Sequence, residues 1–375
     1  MIYLDNAATT QMHDDVQAVM AEYETKNYFN VSAAYKPAVS LSNQIDTVRA
    51  DILKKLNGSG AIIFTGCATE ANNLAIYGSA KNKQATYIFS GIEHPSVYNV
   101  AQDLKNRNYN VLYINTLPNG SVDIKHLKTL LDSSVSFVSV MAVNNETGAI
   151  NDIKSIVKLV KSVNPSIIVH SDCVQALGKI EIDLNSWGVD LCSFSAHKIN
   201  GPKGVGALYI KSGVNINAHI LGGGQEFGLR SGTVNTAGIM GFKKALDITL
   251  QNFEMTQNNL LNCKTEFLNF LNQNITDYKL NSSLDNSVNN TISLSFKGLR
   301  GEVIMHMLSE QGIIIGTGSA CSSKHSDNRV LSQMGLNKNY IEGSVRISFG
   351  MFNTVTEAMD CAKALVIAVN TLKGI

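Results

Sequence analysis

Apolar runs and amphipathic stretches alternate between about residue 60 and residue 210. The apolar runs read AIIF, TYIFS, NVLYI, VSFVSVMAV, SIIVHSD and DLCSFSA, and the stretches between them predict helices near 69–80, 96–107, 123–132 and 152–163. Strands this continuously apolar need cover on both faces. The pattern therefore predicts an α/β fold, a mostly parallel sheet with helices on both sides. After about residue 233 a long helical pattern runs to about 273, followed by the polar stretch NSSLDNSVNN. TISLSF, a helix near 301–310, III, SVRISF and an amphipathic helix from about 355 then predict a smaller C-terminal α/β lobe. The expected division is an N-terminal segment 1–14 packing with the small domain, a large cofactor-binding domain 15–250, and a small domain 251–375. Ligands of such a sheet bind at the C-terminal ends of its strands.

Composition narrows the class. With 375 residues, 44% hydrophobic and 16% charged, the chain can bury a large core. A formal net charge of +1 favours neither nucleic acid nor an anionic membrane as an electrostatic partner. The first residues, MIYLDNAATTQMHDD, carry acids rather than a basic leader, and no apolar run of about 18 residues occurs. A soluble, cytoplasmic protein without a secretory signal is expected. The six cysteines, at 67, 173, 192, 263, 321 and 361, form no CxxC pair and no metal-type spacing, so neither disulfides nor zinc are expected. Cys173, Cys192, Cys263 and Cys361 sit in apolar contexts and read as small buried hydrophobes. Cys321 differs, because GTGSACSSKHSDN is small and polar and predicts an exposed loop, where a free thiol is a liability unless it is used.

The stretch SFSAHKINGPKG ends an apolar run in a histidine and a lysine, and a charged lysine at a buried strand end is costly without a partner. Lys198 either reaches solvent there or has a use. In HSDCVQALGK, Asp172 lies just past another buried strand and Gln175 in the turn after it; Asp172 also suits a helix N-cap. A lysine and a carboxylate at neighbouring strand ends suit pyridoxal 5'-phosphate, since the amine forms a Schiff base and the acid keeps the pyridine nitrogen protonated. FTGCATEANNLAIYG is a strand, a turn and a helix start, in which the amides of Ala68 and Thr69 can face an anion, with Ser195 and His197 as side-chain donors. His94, in GIEHPSV, is either a core histidine or a ring stacked on a flat cofactor.

Together, YLDNAATT, IEHPSV, VNNETG, HSDCVQALGK, SFSAHKINGPKGVGALY, GGGQEFGLRSGTVN, GTGSACSS and SVRISFGMFNT run over nearly the full length. They resemble a cysteine desulfurase of the class V aminotransferase group, within the fold-type I pyridoxal-phosphate enzymes. The resemblance implies Lys198 as Schiff-base lysine, Asp172 as pyridinium partner, and Gln175 and Asn145 as donors near the ring oxygen. His94 would stack on the ring, and Ala68, Thr69, Ser195 and His197 would hold the phosphate. Thr233 would reach the phosphate of the other subunit of a homodimer. Arg346 would clamp the carboxylate of the substrate, with Asn145 beside it, through its planar fork. Cys321 would attack the sulfur of L-cysteine and carry it as a persulfide, leaving alanine. An acceptor protein, an iron-sulfur scaffold or a tRNA-thiolating enzyme, would then collect the sulfur. Three features depart from the family pattern: Cys67 stands where glycine is usual, Val31 where proline is usual, and the stretch SSKHSDNRVLSQMG is short, as in forms paired with a tRNA-thiolating enzyme. The rival readings are an aminotransferase or selenocysteine lyase on the same cofactor, for which Cys321 is dispensable, and a non-catalytic sulfur-relay or scaffold protein.

Overall fold

The computed structural model describes residues 1–317 and 328–374. Among them, seven strands form one sheet in the order Gly60–Thr65, Gly206–Lys211, Leu191–Ser195, Ile168–Asp172, Val135–Ser139, Thr86–Ser90, Asn110–Ile114. The last five run parallel, and Gly206–Lys211 is antiparallel to both its neighbours. Helices cover both faces, which explains the continuous apolar runs. Along one strand Ile62 faces one core and Ile63 the other, and Phe137 and Val138 divide in the same way. The predicted helices form with local signals at their starts. His94 caps Pro95–Asn106 by accepting from the Ser96 amide, with Pro95 in the first turn, and Asp152 caps Ile153–Val163 by accepting from the Ser155 amide.

The strand Gly206–Lys211, GALYIK, was not among the predicted strands. It exists because the chain reverses after Leu191–Ser195 through a 3-10 turn at Ala196–Lys198. Asn200 at φ 60° and Gly204 at φ 79° supply the left-handed positions of the reversal. The reversal also leaves Lys198 at the C-terminal end of the sheet.

The helical pattern read as one element to about 273 is two helices, Thr236–Gln251 and Phe253–Asn274. Asn252 interrupts it at φ −102°, ψ 12°, with its side-chain amide donating back to the Ile248 carbonyl. Phe242, Ala245 and Leu246 of the first helix pack on the large sheet, whereas Leu260, Phe267 and Leu271 of the second pack in a separate core. That second core includes Ile292, Leu294, Ile304, Val345, Ile347 and Leu365 around the antiparallel strands Thr291–Ser295 and Ser344–Ser348. The chain start belongs to it as well: Leu4 is buried there and Ile2–Tyr3 pairs with Ile313–Ile314. Among the described residues no helix is long and apolar enough to cross a membrane.

Candidate active site

The site lies where the parallel strands end. Asp172 closes Ile168–Asp172 and Ser195 closes Leu191–Ser195, two strands whose register pairs Asp172 with Ser193. Lys198 follows within one turn, and its Nζ donates to the carbonyls of Ala7 and Ala8 at 2.6 and 2.5 Å. The Ala7 carbonyl also accepts from Gln175 Nε2 at 2.9 Å, so the segment that opens the chain ties the lysine to the turn after Asp172.

Asp172 is only 3% exposed. Its Oδ1 accepts from the Val174 amide at 3.0 Å and its Oδ2 from Asn72 Nδ2 at 2.8 Å. The same Asn72 amide reaches Ser96 Oγ at 2.8 Å, and that hydroxyl meets His94 Nδ1 at 2.7 Å. The Ser96 amide also donates to Nδ1, at 3.1 Å. This contact makes Nδ1 an acceptor and leaves the ring proton on Nε2. Burial holds His94 below its usual range, with the Lys198 and Arg329 cations adding and Asp172 opposing. His94 is therefore a neutral ring at neutral pH.

Ala68 and Thr69 open the helix Ala68–Ser79, whose first amides have no partner within the helix. Cys67 precedes it at φ −174°, an extended conformation open to any residue, so the departure from glycine costs the turn nothing. Gly206 is pressed against this turn. A Cβ there would lie 2.6 Å from the Cys67 carbonyl carbon and 2.8 Å from the Ala68 amide. Ser195 is buried beside the turn, and His197 Nδ1 meets Thr9 Oγ1 at 3.1 Å. Burial, with Lys198, Lys203 and Lys179 adding, pushes His197 down to about 4.

Arg346 is 5% exposed on Ser344–Ser348 and reaches into the site from the second core. Its Nη1 donates to the Asn145 carbonyl at 2.8 Å and its Nη2 to Asp5 Oδ1 at 2.6 Å. Thr233 is exposed, in the segment between Gly206–Lys211 and Thr236–Gln251. Cys321 lies outside the described residues. The strand ends thus gather Lys198, Asp172, Gln175, His94, Ser195, His197, Ala68 and Thr69. Asn145 and Arg346 meet each other, and Thr233 stands apart at the surface.

A class V aminotransferase model matches residues 2–359. The chain belongs to the aminotransferase class-V family. It is 38% identical over 360 residues to the cysteine desulfurase IscS of Clostridium botulinum, covering 94% of this chain and 90% of that protein. A solved NifS-like protein superposes with a TM-score of 0.92 at 33% identity over the whole of both chains. Another, SspA in complex with cysteine, gives 0.82 at 30% identity over 93% of this chain and 99% of its own. The cofactor of this family is pyridoxal 5'-phosphate. The residues present fit it: a buried carboxylate held at one strand end, an amine at the next, a neutral ring, and a helix start closed down by Gly206.

Sequence reading missed Asn72, Asp5, Lys179 and Arg329. Asn72 had a signal, since it lies one helical turn after Thr69 and so on the same face. Arg329 donates to the carbonyls of Gly91 and Glu93 and lies 4.0 Å over the Tyr98 ring, contacts that only the folded chain assembles.

Proposed function

We propose that the protein is a cysteine desulfurase that takes sulfur from L-cysteine, holds it as a persulfide on Cys321 and releases alanine. One observation carries the choice of Cys321 over the aminotransferase reading. The described residues on either side of 318–327 include Gly316 and Asn328. Gly316 exchanges backbone hydrogen bonds with Arg346 at 2.9 and 2.7 Å, and Asn328 Nδ2 donates to Glu146, the neighbour of Asn145, at 2.7 Å. The described chain on either side of residues 318–327, among which Cys321 falls, is therefore held at the residues assigned to the substrate carboxylate.

Bound pyridoxal 5'-phosphate supplies an electron sink for the bonds at the α-carbon of the amino acid joined to it. Ala68 and Thr69 amides, Ser195 and His197 would hold the phosphate, Asp172 the ring nitrogen, His94 the ring face, and Gln175 and Asn145 the ring oxygen. Arg346 fixes the substrate carboxylate. The Lys198 amine would move a proton from the α-carbon of the substrate. The Cys321 thiolate attacks the substrate sulfur, so a sulfur–sulfur bond forms as the carbon–sulfur bond breaks. The bonding pair stays with the carbon fragment, which is protonated and leaves as alanine. A thiol reductant or an acceptor protein, an iron-sulfur scaffold or a tRNA-thiolating enzyme, then removes the sulfur. Two copies complete the enzyme, with Thr233 reaching the phosphate held by the second. Leu221 at 83% and Phe227 at 69% exposure lie in the same segment and offer apolar surface for that contact. The reading places the enzyme in the cytoplasm.

Incubation with L-cysteine, cofactor and a thiol reductant should yield alanine and sulfide in equal amounts, and borohydride should trap the cofactor on Lys198. Absence of alanine overturns the activity. A monomer with full activity overturns the role of Thr233.

A further inference from the structure

The helix start assigned to the phosphate also carries an acid. Glu70 lies in the first turn of Ala68–Ser79, and its Oε2 accepts from the Gly66 amide at 2.8 Å. Gly66 makes room for that contact, since a Cβ there would lie 2.9 Å from the same oxygen. Thr65 Oγ1 donates to the Cys67 carbonyl at 2.9 Å and completes the turn. The Gly66 amide is thereby spent on Glu70, which leaves the Ala68 and Thr69 amides for a ligand. A carboxylate at a helix start is stabilising while nothing else is there, and it opposes any second anion drawn to the same place. A phosphate ester, which carries roughly two negative charges at neutral pH, is such an anion.

Arg230 meets this acid from the segment that also holds Thr233. Its Nε donates to Glu70 Oε1 at 2.7 Å and its Nη2 to Glu70 Oε2 at 3.3 Å, with the two side chains 23% and 18% exposed. The hydrogen bond to Glu70 holds Arg230 above its usual range against partial burial, so it stays a cation. Among the described residues Glu70 has no other ion-pair partner. Arg49 is already committed, its two amino groups each donating to Glu226 at 2.6 Å. Glu226 in turn accepts from the Phe64 amide at 2.7 Å, which fastens the segment of Arg230 to the strand that leads into the phosphate turn. Nothing in the desulfuration scheme uses the Glu70–Arg230 pair. We propose that Arg230 is a positioning residue for the cofactor phosphate: by pairing with Glu70 it cancels the charge of the acid that fixes the Gly66 turn, so that the start of Ala68–Ser79 can receive a phosphate. The pair gives a fixed turn without the repulsion that a lone carboxylate would bring. Like charges within one helical turn, screened less than in water, repel by an amount worth about tenfold or more in affinity.

The inference rests on Ala68 and Thr69 as the phosphate cradle of the proposed function. The test compares the affinity of the cofactor-free, full-length protein for pyridoxal 5'-phosphate and for pyridoxal, which forms the same linkage without a phosphate, both followed by absorbance. Inorganic phosphate as a competitor reads the cradle directly. In Arg230→Met, affinity for pyridoxal 5'-phosphate should fall about tenfold or more, while that for pyridoxal changes by less than about twofold. Glu70→Gln keeps an oxygen for the Gly66 amide and loses the charge, so its affinity for pyridoxal 5'-phosphate should equal or exceed that of the wild type. The double variant, Glu70→Gln with Arg230→Met, should recover most of what Arg230→Met loses. A double variant as weak as Arg230→Met overturns the proposal and makes Arg230 a direct ligand of the phosphate. Equal losses for the two compounds in Arg230→Met overturn it as well, because they mark a purely structural role. Should the Met variant fail to fold, Glu70→Gln alone decides: a weaker preference for the phosphorylated compound than in the wild type refutes charge compensation. A wild type that binds both compounds equally, with no competition from phosphate, refutes the cradle itself. A clear phosphate preference in the wild type with additive variants refutes the role of Arg230 alone.

Discussion

Asp5 and Arg346 form an ion pair at 2.6 Å between the start and the end of the chain, with both side chains largely buried. The pair holds one amino group of the guanidinium, the Asn145 carbonyl holds the other, and Nε is buried without a partner among the described residues. The fork is thus oriented before substrate arrives.

Lysine at position 346 would keep the charge and lose this orientation, because an ammonium cannot hold Asp5, the Asn145 carbonyl and a carboxylate in one plane. Arg346→Lys should raise KM for L-cysteine about tenfold or more, the loss of one charge-assisted hydrogen bond of roughly 1.5–3 kcal/mol. Steady-state alanine formation checks it. An unchanged KM would remove Arg346 from the substrate site.

Asn72 joins Asp172 to the Ser96–His94 pair through one side-chain amide. Asn72→Leu takes a donor from a buried carboxylate and should cost about 1–3 kcal/mol in urea denaturation. Titration with pyridoxal 5'-phosphate should show weaker binding as well. Asn72→Asp should weaken it further, since a second carboxylate beside Asp172 favours protonation of one of them.

Glu93 is fully buried, with Oε1 accepting from Ser90 Oγ at 2.6 Å and from the Met141 amide at 2.8 Å. Burial, aided by Asp172, pushes it up to about 7. A carboxyl raised in the folded state contributes stability that is fully present below its unfolded value near 4.5 and is lost as the pH rises through 7. Glu93→Gln keeps the shape and does not titrate. Its stability relative to the wild type should therefore improve by about 3 kcal/mol between pH 4.5 and pH 8. Urea midpoints at the two pH values measure this, and an equal difference at both would place Glu93 in contact with water.

Thiol chemistry separates the cysteines. Cys173, Cys192, Cys263 and Cys361 are buried, and Cys67 is exposed. Burial pushes the Cys361 thiol up to about 12 and holds Cys192 and Cys263 above their usual range. Buried thiols of this kind are poor nucleophiles. After brief exposure to L-cysteine, mass spectrometry should find the persulfide on Cys321 alone. Cys321→Ser should still bind cofactor and change its absorbance with L-cysteine, while alanine formation falls to background. A persulfide on Cys67 would move the nucleophile to the phosphate turn.

Local signals sufficed for much of this protein. Runs such as Ile62-Ile63-Phe64 and Tyr87-Ile88-Phe89 are apolar at successive positions because both faces of their sheet are covered, and that alone implies strands, layers and a site at the strand ends. The glycine and asparagine turns and the helix caps at His94 and Asp152 are equally local, so the elements that carry Asp172, Lys198 and Ala68 were legible. Partners far apart in the chain were not. GALYIK joins the sheet only because a reversal folds it back between two other strands, and Asn252 divides a continuous helical pattern because its two halves bury their apolar faces in different cores. The Asp5–Arg346 pair spans nearly the whole sequence, and Lys179 reads as an ordinary turn lysine until the fold buries its amine. Periodicity and turn chemistry act between near neighbours, whereas ion pairs, cavities and the proton affinities they set depend on which distant segments packing brings together.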